Sequence, residues 1–140
     1  MVRFIWLAAS DPEVEQCYAL RQAVFVDEQG FKEEFDELDA RCDHLLALEN
    51  GVPVATARLY QDGDDYHVGR ICVCKEKRGS GLGRLLLEET ERRCSEKGGS
   101  RLVLGAQVRA EGFYSSCGYR RFGSEYYEEY CPHVMMGKTL

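Results

Sequence analysis

The stretch that most constrains the fold is residues 70–84, Arg70-Ile-Cys-Val-Cys-Lys-Glu-Lys-Arg-Gly-Ser-Gly-Leu-Gly-Arg84. A short apolar strand candidate runs into a basic loop with glycine at positions 79, 81 and 83, and the loop opens an amphipathic helix near Gly81. The first turn of a helix leaves backbone N–H groups without intrahelical partners, and the helix dipole places roughly half a positive charge there. Such a junction binds anions. Gly79, Gly81 and Gly83 remove side chains that would hold a phosphate away from those amides, and Arg78 and Arg84 add fixed charge. No Gly-Lys-Ser/Thr closes the loop, so it is not a nucleotide P-loop. It also lacks the last glycine spacing and the downstream acid of a dinucleotide fingerprint. Two readings stay open for the loop by itself, an anion cradle and a flexible strand–helix turn.

The chain has the length of one domain, residues 1–140, with enough apolar residues (44%) for a core. No apolar run approaches the ~20 residues of a membrane helix, and Arg3 followed by a strand-length run is not a signal peptide. Seven cysteines, an odd count without a Cys-x-x-Cys pair, fit reduced thiols in a cytoplasm better than a disulfide framework. Cys72, Cys74, Cys94 and Cys117 are expected as small buried hydrophobes. Cys42-x-His44 and Cys131-x-His133 lack zinc-knuckle spacing, so no metal is expected. The net charge of −6 sits in residues 27–43, where eight acids face Lys32 and Arg41. This balance disfavours nucleic-acid binding and would attract cationic ligands, although a solvated acidic loop has the same composition.

Residues 4–8 read as a buried strand, and Ser10-Asp-Pro12-Glu starts a helix running to about Phe25. A short second helix is expected near residues 33–38. Residues 43–49 and 54–60 flank Asn50-Gly51, a strong hairpin signal, and residues 66–73 form the next strand. Leu82, Leu86, Thr90 and Cys94 then form one helical row supported by Leu85, with Glu88/Arg92 and Glu89/Arg93 as i,i+4 pairs. Residues 101–104 make a strand parallel to the one before the loop, because a helix crosses between them. Ala110, Phe113, Tyr114 and Cys117 make a compact helix closed by Gly118, and residues 119–122 and 133–136 are final strands. The pattern is α/β: a mixed central sheet with helices on both faces.

That order resembles the GNAT superfamily of N-acetyltransferases, and the motifs carrying the resemblance stand in register. Arg78-Gly-Ser-Gly81-Leu-Gly83 resembles its pyrophosphate loop, and Phe113-Tyr114-Ser-Ser-Cys-Gly118-Tyr119 resembles its Phe-Tyr-x-x-x-Gly-Phe segment. Arg21-Gln-Ala-Val-Phe-Val26-Asp-Glu28-Gln29, residues 39–44, Thr56-Ala-Arg58, Gly69-Arg70, Gly105-Ala-Gln107 and Pro132-His133-x-x-Met136 are similar to the ElaA-type subfamily. The resemblance implies acetyl-CoA as co-substrate, with pyrophosphate on the amides of Gly79, Ser80, Gly81, Leu82, Gly83 and Arg84. It implies pantetheine bonded along Ile71, Cys72 and Val73 as an added strand would be, with Gln107 contacting its amides and Phe113 packing beneath Tyr114.

Acyl transfer to an alkyl amine needs a deprotonated nitrogen, costing roughly 4–5 kcal/mol at neutral pH, and a proton for the leaving sulfur. The resemblance makes Tyr114 the general acid. Candidate bases are Glu28 first, then His133, with His44 a framework residue. The expected acceptor is a primary amine of a small molecule or peptide, cationic if residues 27–43 cover its entrance; no nucleic acid or membrane is expected, and the chain would be a monomer or homodimer. The alternative is a non-catalytic acyl-CoA-binding sensor or interaction module of the same fold.

Overall fold

The computed structural model describes residues 1–140. Its strands are β1 (Val2–Leu7), β2 (Asp43–Glu49), β3 (Val52–Asp62), β4 (Asp65–Val73), β5 (Arg101–Gln107), β6 (Arg120–Arg121), β7 (Tyr126–Glu128) and β8 (Cys131–Thr139). Its helices are α1 (Val14–Arg21), α2 (Leu82–Glu96) and α3 (Glu111–Ser116). The eight strands form one sheet in the order β1-β2-β3-β4-β5-β8-β6, with β7 also paired to β8. Asn50 and Gly51 both adopt positive φ, as a tight two-residue turn with Glu49 opposite Val52 requires.

Alternation along the strands divides the two faces. Ala57, Leu59, Tyr66, Val68, Leu102, Leu104, Ala106, Val134 and Met136 share one core cluster with Leu82, Leu86, Leu87 and Cys94 of α2. The other face receives α1, whose Cys17 packs with Leu7, Leu46 and Leu48. Burying a side chain of this size contributes about 1.5–3 kcal/mol, so the opposed apolar rows hold both layers to the sheet. In α2 the row is supported by Leu87, 1% exposed, while Leu85 is 45% exposed, contrary to expectation. The expected i,i+4 pairs are also replaced: Arg92 takes Glu89 and Glu96, and Arg93 takes Asp43 of β2.

Three segments differ from the sequence expectation. The first helix gives way after Arg21 to a π-helical stretch, Gln22–Glu28, whose wider turns move Glu28 and Gln29 around the axis. The second helix is a 3₁₀ turn at Glu37–Arg41, later than expected, started by an Asp36–Asp39 capping box. The acidic linker after Phe122 contains the short strand β7, and only Arg120–Arg121 of residues 119–122 is a strand.

The central feature is a splay. β4 and β5 run parallel but pair only at Tyr66–Leu102 and His67–Val103. Beyond these rungs β4 stays on β3 to Val73 and β5 stays on β8 to Gln107, so the two strands open a wedge. A bulge sharpens it: Arg70 and Ile71 stand opposite the single residue Ala57, with Arg70 at φ 50°. No helix is long and apolar enough to cross a membrane, and all seven cysteines are free thiols.

Candidate active site

The wedge is a cleft of about 880 Å³ that reaches both faces of the sheet. On the α2 face lies the glycine turn expected to hold an anion. Gly79 and Gly81 have φ of 80° and 85°, a conformation that only glycine adopts without strain, and no atom stands within 4 Å of where their Cβ would be. Gly81 precedes α2 without a side-chain cap, so the first-turn amides keep their donors. A Cβ at Gly83 would lie 3.1 Å from Cζ of Phe113, so that glycine lets the aromatic ring approach the start of the helix. Arg84 donates to the carbonyl of Ser116 at 3.2 Å and ties the turn to α3.

Tyr114 lines the cleft from α3, its ring edge-on to Phe113 and Tyr119. Burial pushes its hydroxyl well above the ordinary tyrosine range, which keeps the proton on oxygen as a donor. From Val68 to Val73 the β5-facing edge of β4 has no strand partner, so its backbone groups are open to a ligand. Cys72 lines the same cleft, and burial pushes its thiol up to about 12. Cys74 is half-buried, less than expected, because it begins the loop.

The π-helical stretch crosses the mouth. Glu28 accepts both terminal nitrogens of Arg78, at 2.6 and 2.8 Å, and this hydrogen bonding holds its carboxyl below the usual range. Gln107 donates to the Gln29 side chain at 2.9 Å and accepts from Arg109 at 2.8 Å. Adjacent residues of one segment thus hold the loop arginine and the β5 amide.

His133 is on the opposite face, paired in register with Gln107 of β5 and Tyr126 of β7. It is 5% exposed and lines the cleft. Its Nδ1 lies 2.9 Å from the carbonyl of Cys131. A carbonyl only accepts, so Nδ1 donates to it, and Nε2 faces the Glu128 carboxylate at 3.6 Å. His44 is bonded through its other ring nitrogen. Its Nε2 donates to the Asp39 carbonyl at 2.9 Å, and it lies outside the cleft lining.

The acidic segment is not the free surface that its composition suggested. Arg21 donates to Glu34 at 3.0 Å and to Asp39 at 2.7 Å; Arg58 donates to Asp36 at 2.7 Å and Asp39 at 2.9 Å; Arg70 pairs with Glu34 and Asp36. Arg21, Glu34, Asp39 and Arg58 are all buried. Burial alone would raise Asp39, but Arg21 and then Arg58 outweigh it and hold the carboxyl at about 2. Charge reversal at Glu34 would therefore break the fold and would not probe an entrance. Sequence reasoning missed this network, along with Tyr60, His67 and Tyr126 in the cleft wall. The available signal was an arginine at 58 in an otherwise apolar strand. No three or more His, Cys, Asp or Glu side chains converge as a metal-binding group.

A family profile described as "Acetyltransferase (GNAT) domain" matches residues 8–140. An acetyltransferase-family protein of Bacillus subtilis is 40% identical over 134 residues, 92% of this chain and 91% of its own length. ElaA of Escherichia coli is 33% identical over the whole chain and 98% of its own; the ElaA crystal structure superposes with a TM-score of 0.86 over 99% of both chains. An acyl-CoA N-acyltransferase from Pseudomonas aeruginosa, 26% identical, superposes with a TM-score of 0.88 over 99% of this chain and 100% of that one.

Proposed function

The chain belongs to the GNAT family of acetyltransferases, and on that premise we propose that it transfers an acetyl group from acetyl-CoA directly to a primary amine. The observation that carries the reading is the cleft through the splayed sheet. It joins Arg78, in the loop that leads to an uncapped helix N-terminus, and the protonated Tyr114 on one face to His133 on the other. The open edge of β4 and the glycine-lined turn at 79–83 fit an extended, phosphorylated thiol ester.

Bound there, acetyl-CoA supplies a thioester carbonyl carbon that exchanges its C–S bond for a C–N bond. Amides of residues 79–84 hold the pyrophosphate, and the unpaired edge of β4 bonds the pantetheine arm. His133 Nε2 takes a proton from the attacking nitrogen while Tyr114 gives one to the leaving sulfur. His133 then returns its proton to water and Tyr114 regains one, so the enzyme is restored and the products are an amide and a free thiol. Glu28, with its carboxylate held by Arg78 and a depressed pKa, is the weaker proton acceptor. Cys72, held neutral at about 12, is unsuited to carrying the acyl group, which favours direct transfer.

The test is thiol release from acetyl-CoA over a panel of amines, with acetylated amine quantified in parallel. Equimolar thiol and amide are expected, and Tyr114→Phe should lower kcat by about 10²–10⁴-fold. Calorimetric binding of acetyl-CoA without thiol release for any amine would instead leave the non-catalytic acyl-CoA-binding module.

A further inference from the structure

The face of the cleft opposite α2 carries a flat-floored aromatic slot. Tyr60 and His67 stand opposite each other in the β3–β4 register, their rings stacked at 5.1 Å and 19°. Across the splay, Tyr126 and His133 stand opposite each other on β7 and β8, with ring centroids 5.7 Å apart. On that same face β4 and β5 present Gly69 and Gly105, so the floor between the two ring pairs is backbone, with Met135 of β8 beside Gly105 and Arg58 of β3 beside Gly69. The Tyr126 hydroxyl leans over Gly105: a Cβ there would collide with it. Backbone flanked by rings makes a slot for a flat or compact apolar body.

Charge sets the other half of the specificity. The three guanidiniums of Arg21, Arg58 and Arg70 meet the three carboxylates of Glu34, Asp36 and Asp39, so this network is neutral. It offers nothing to the distal cations of a polyamine. Glu129 is turned onto the backbone N–H groups of Lys32 and Glu33 at 3.0 Å. The carboxylate that faces His133 is that of Glu128, the counter-charge for an ammonium seated there; Glu33 also lines the cleft.

Resting on the transferase reading above, we propose that the acceptor is a primary amine carried on a flat apolar body, seated between the Tyr60–His67 stack and Tyr126 with its nitrogen at His133. The test measures kcat/KM by thiol release with phenethylamine, spermidine and glucosamine, and binding of phenethylamine by saturation-transfer NMR. The expected preference for phenethylamine is about tenfold or more, the scale of one well-filled apolar pocket. Tyr126→Ala should raise its KM about fivefold while leaving the acetyl-CoA KM within about twofold. Gly105→Ala, which displaces the Tyr126 hydroxyl without deleting the ring, should act in the same direction and guards against unfolding of β7. Turnover of spermidine or glucosamine at equal or higher efficiency would overturn the acceptor assignment and leave the transferase reading standing. Phenethylamine binding that is lost in Tyr126→Ala, with no thiol release for any amine, would support the slot and overturn the transferase. Absence of both binding and turnover of phenethylamine would overturn the slot.

Discussion

Asp39→Asn should destabilise the protein, and by an amount that depends on pH. Asp39 accepts from Arg21 and Arg58 while only 8% exposed, and its carboxylate also accepts the Asp36 N–H of the capping box. Removing its charge leaves two buried guanidiniums short of a counterion, a loss of about 3–5 kcal/mol for a broken buried pair. The pKa gives an independent measure. A carboxyl lowered from 3.8 to about 2 contributes about 2 kcal/mol. Because the folded value is depressed, that stability is fully present above pH 3.8 and is lost as pH falls through about 2. Burial pushes Glu34 in the other direction, so the acid sensitivity of the network lies with Asp39 and Asp36. Urea unfolding of wild type and Asp39→Asn at pH 7 and pH 3 reads both quantities. The gap should be about 3–5 kcal/mol at neutral pH and narrow by about 1 kcal/mol at pH 3, where wild type has lost about half of the Asp39 term. A gap below about 1 kcal/mol at pH 7, or one that does not change with pH, would refute the claim that Asp39 is an ionised, buried counterion.

Further outcomes follow from the same contacts. Glu28→Gln frees Arg78 from its carboxylate, so the acetyl-CoA KM should fall by about two- to fivefold with kcat little changed; a kcat loss of about 10²-fold would make Glu28 the base. Cys72→Ala should keep at least about a third of kcat, with no acyl adduct on wild-type protein by intact mass spectrometry, since a thiol at about 12 stays protonated. Burial lowers the His44 pKa below 6.5 and leaves its Nδ1 without a partner. Its contribution is therefore present above pH 6.5 and lost as pH falls through the lower folded value, so wild-type Tm should drop between pH 7.5 and 5.5 more than that of His44→Asn.

The layers of the fold were legible because each rests on local periodicity. The Asn50-Gly51 turn, the Leu82–Leu86–Thr90–Cys94 row and the parallel β4–β5 pair all follow from spacing and from a helix crossing between strands. What failed was local geometry that depends on distant partners. A π-helical segment has the same composition as the α-helix it continues, and Gln22–Glu28 is held in place by what Glu28 and Gln29 meet across the cleft. Likewise Tyr126–Glu128 becomes a strand because β8 offers a free edge there, a fact outside its own sequence.

The site divides along the same line. The glycine turn proposed to hold phosphate was readable because its features are local: glycines, a helix start and an arginine lie within one short run. The opposite face is assembled from residues 60, 67, 105, 126 and 133, brought together by strand register and a splay. Charge in a sequence carries no partners: of the eight acids in residues 27–43, Glu34, Asp36 and Asp39 are ion-paired with arginines supplied by α1, β3 and β4. Those arginines are what hold residues 34–39 against the sheet beside the splay. The negative charge of the segment is thus spent in part on forming the wall of the cleft.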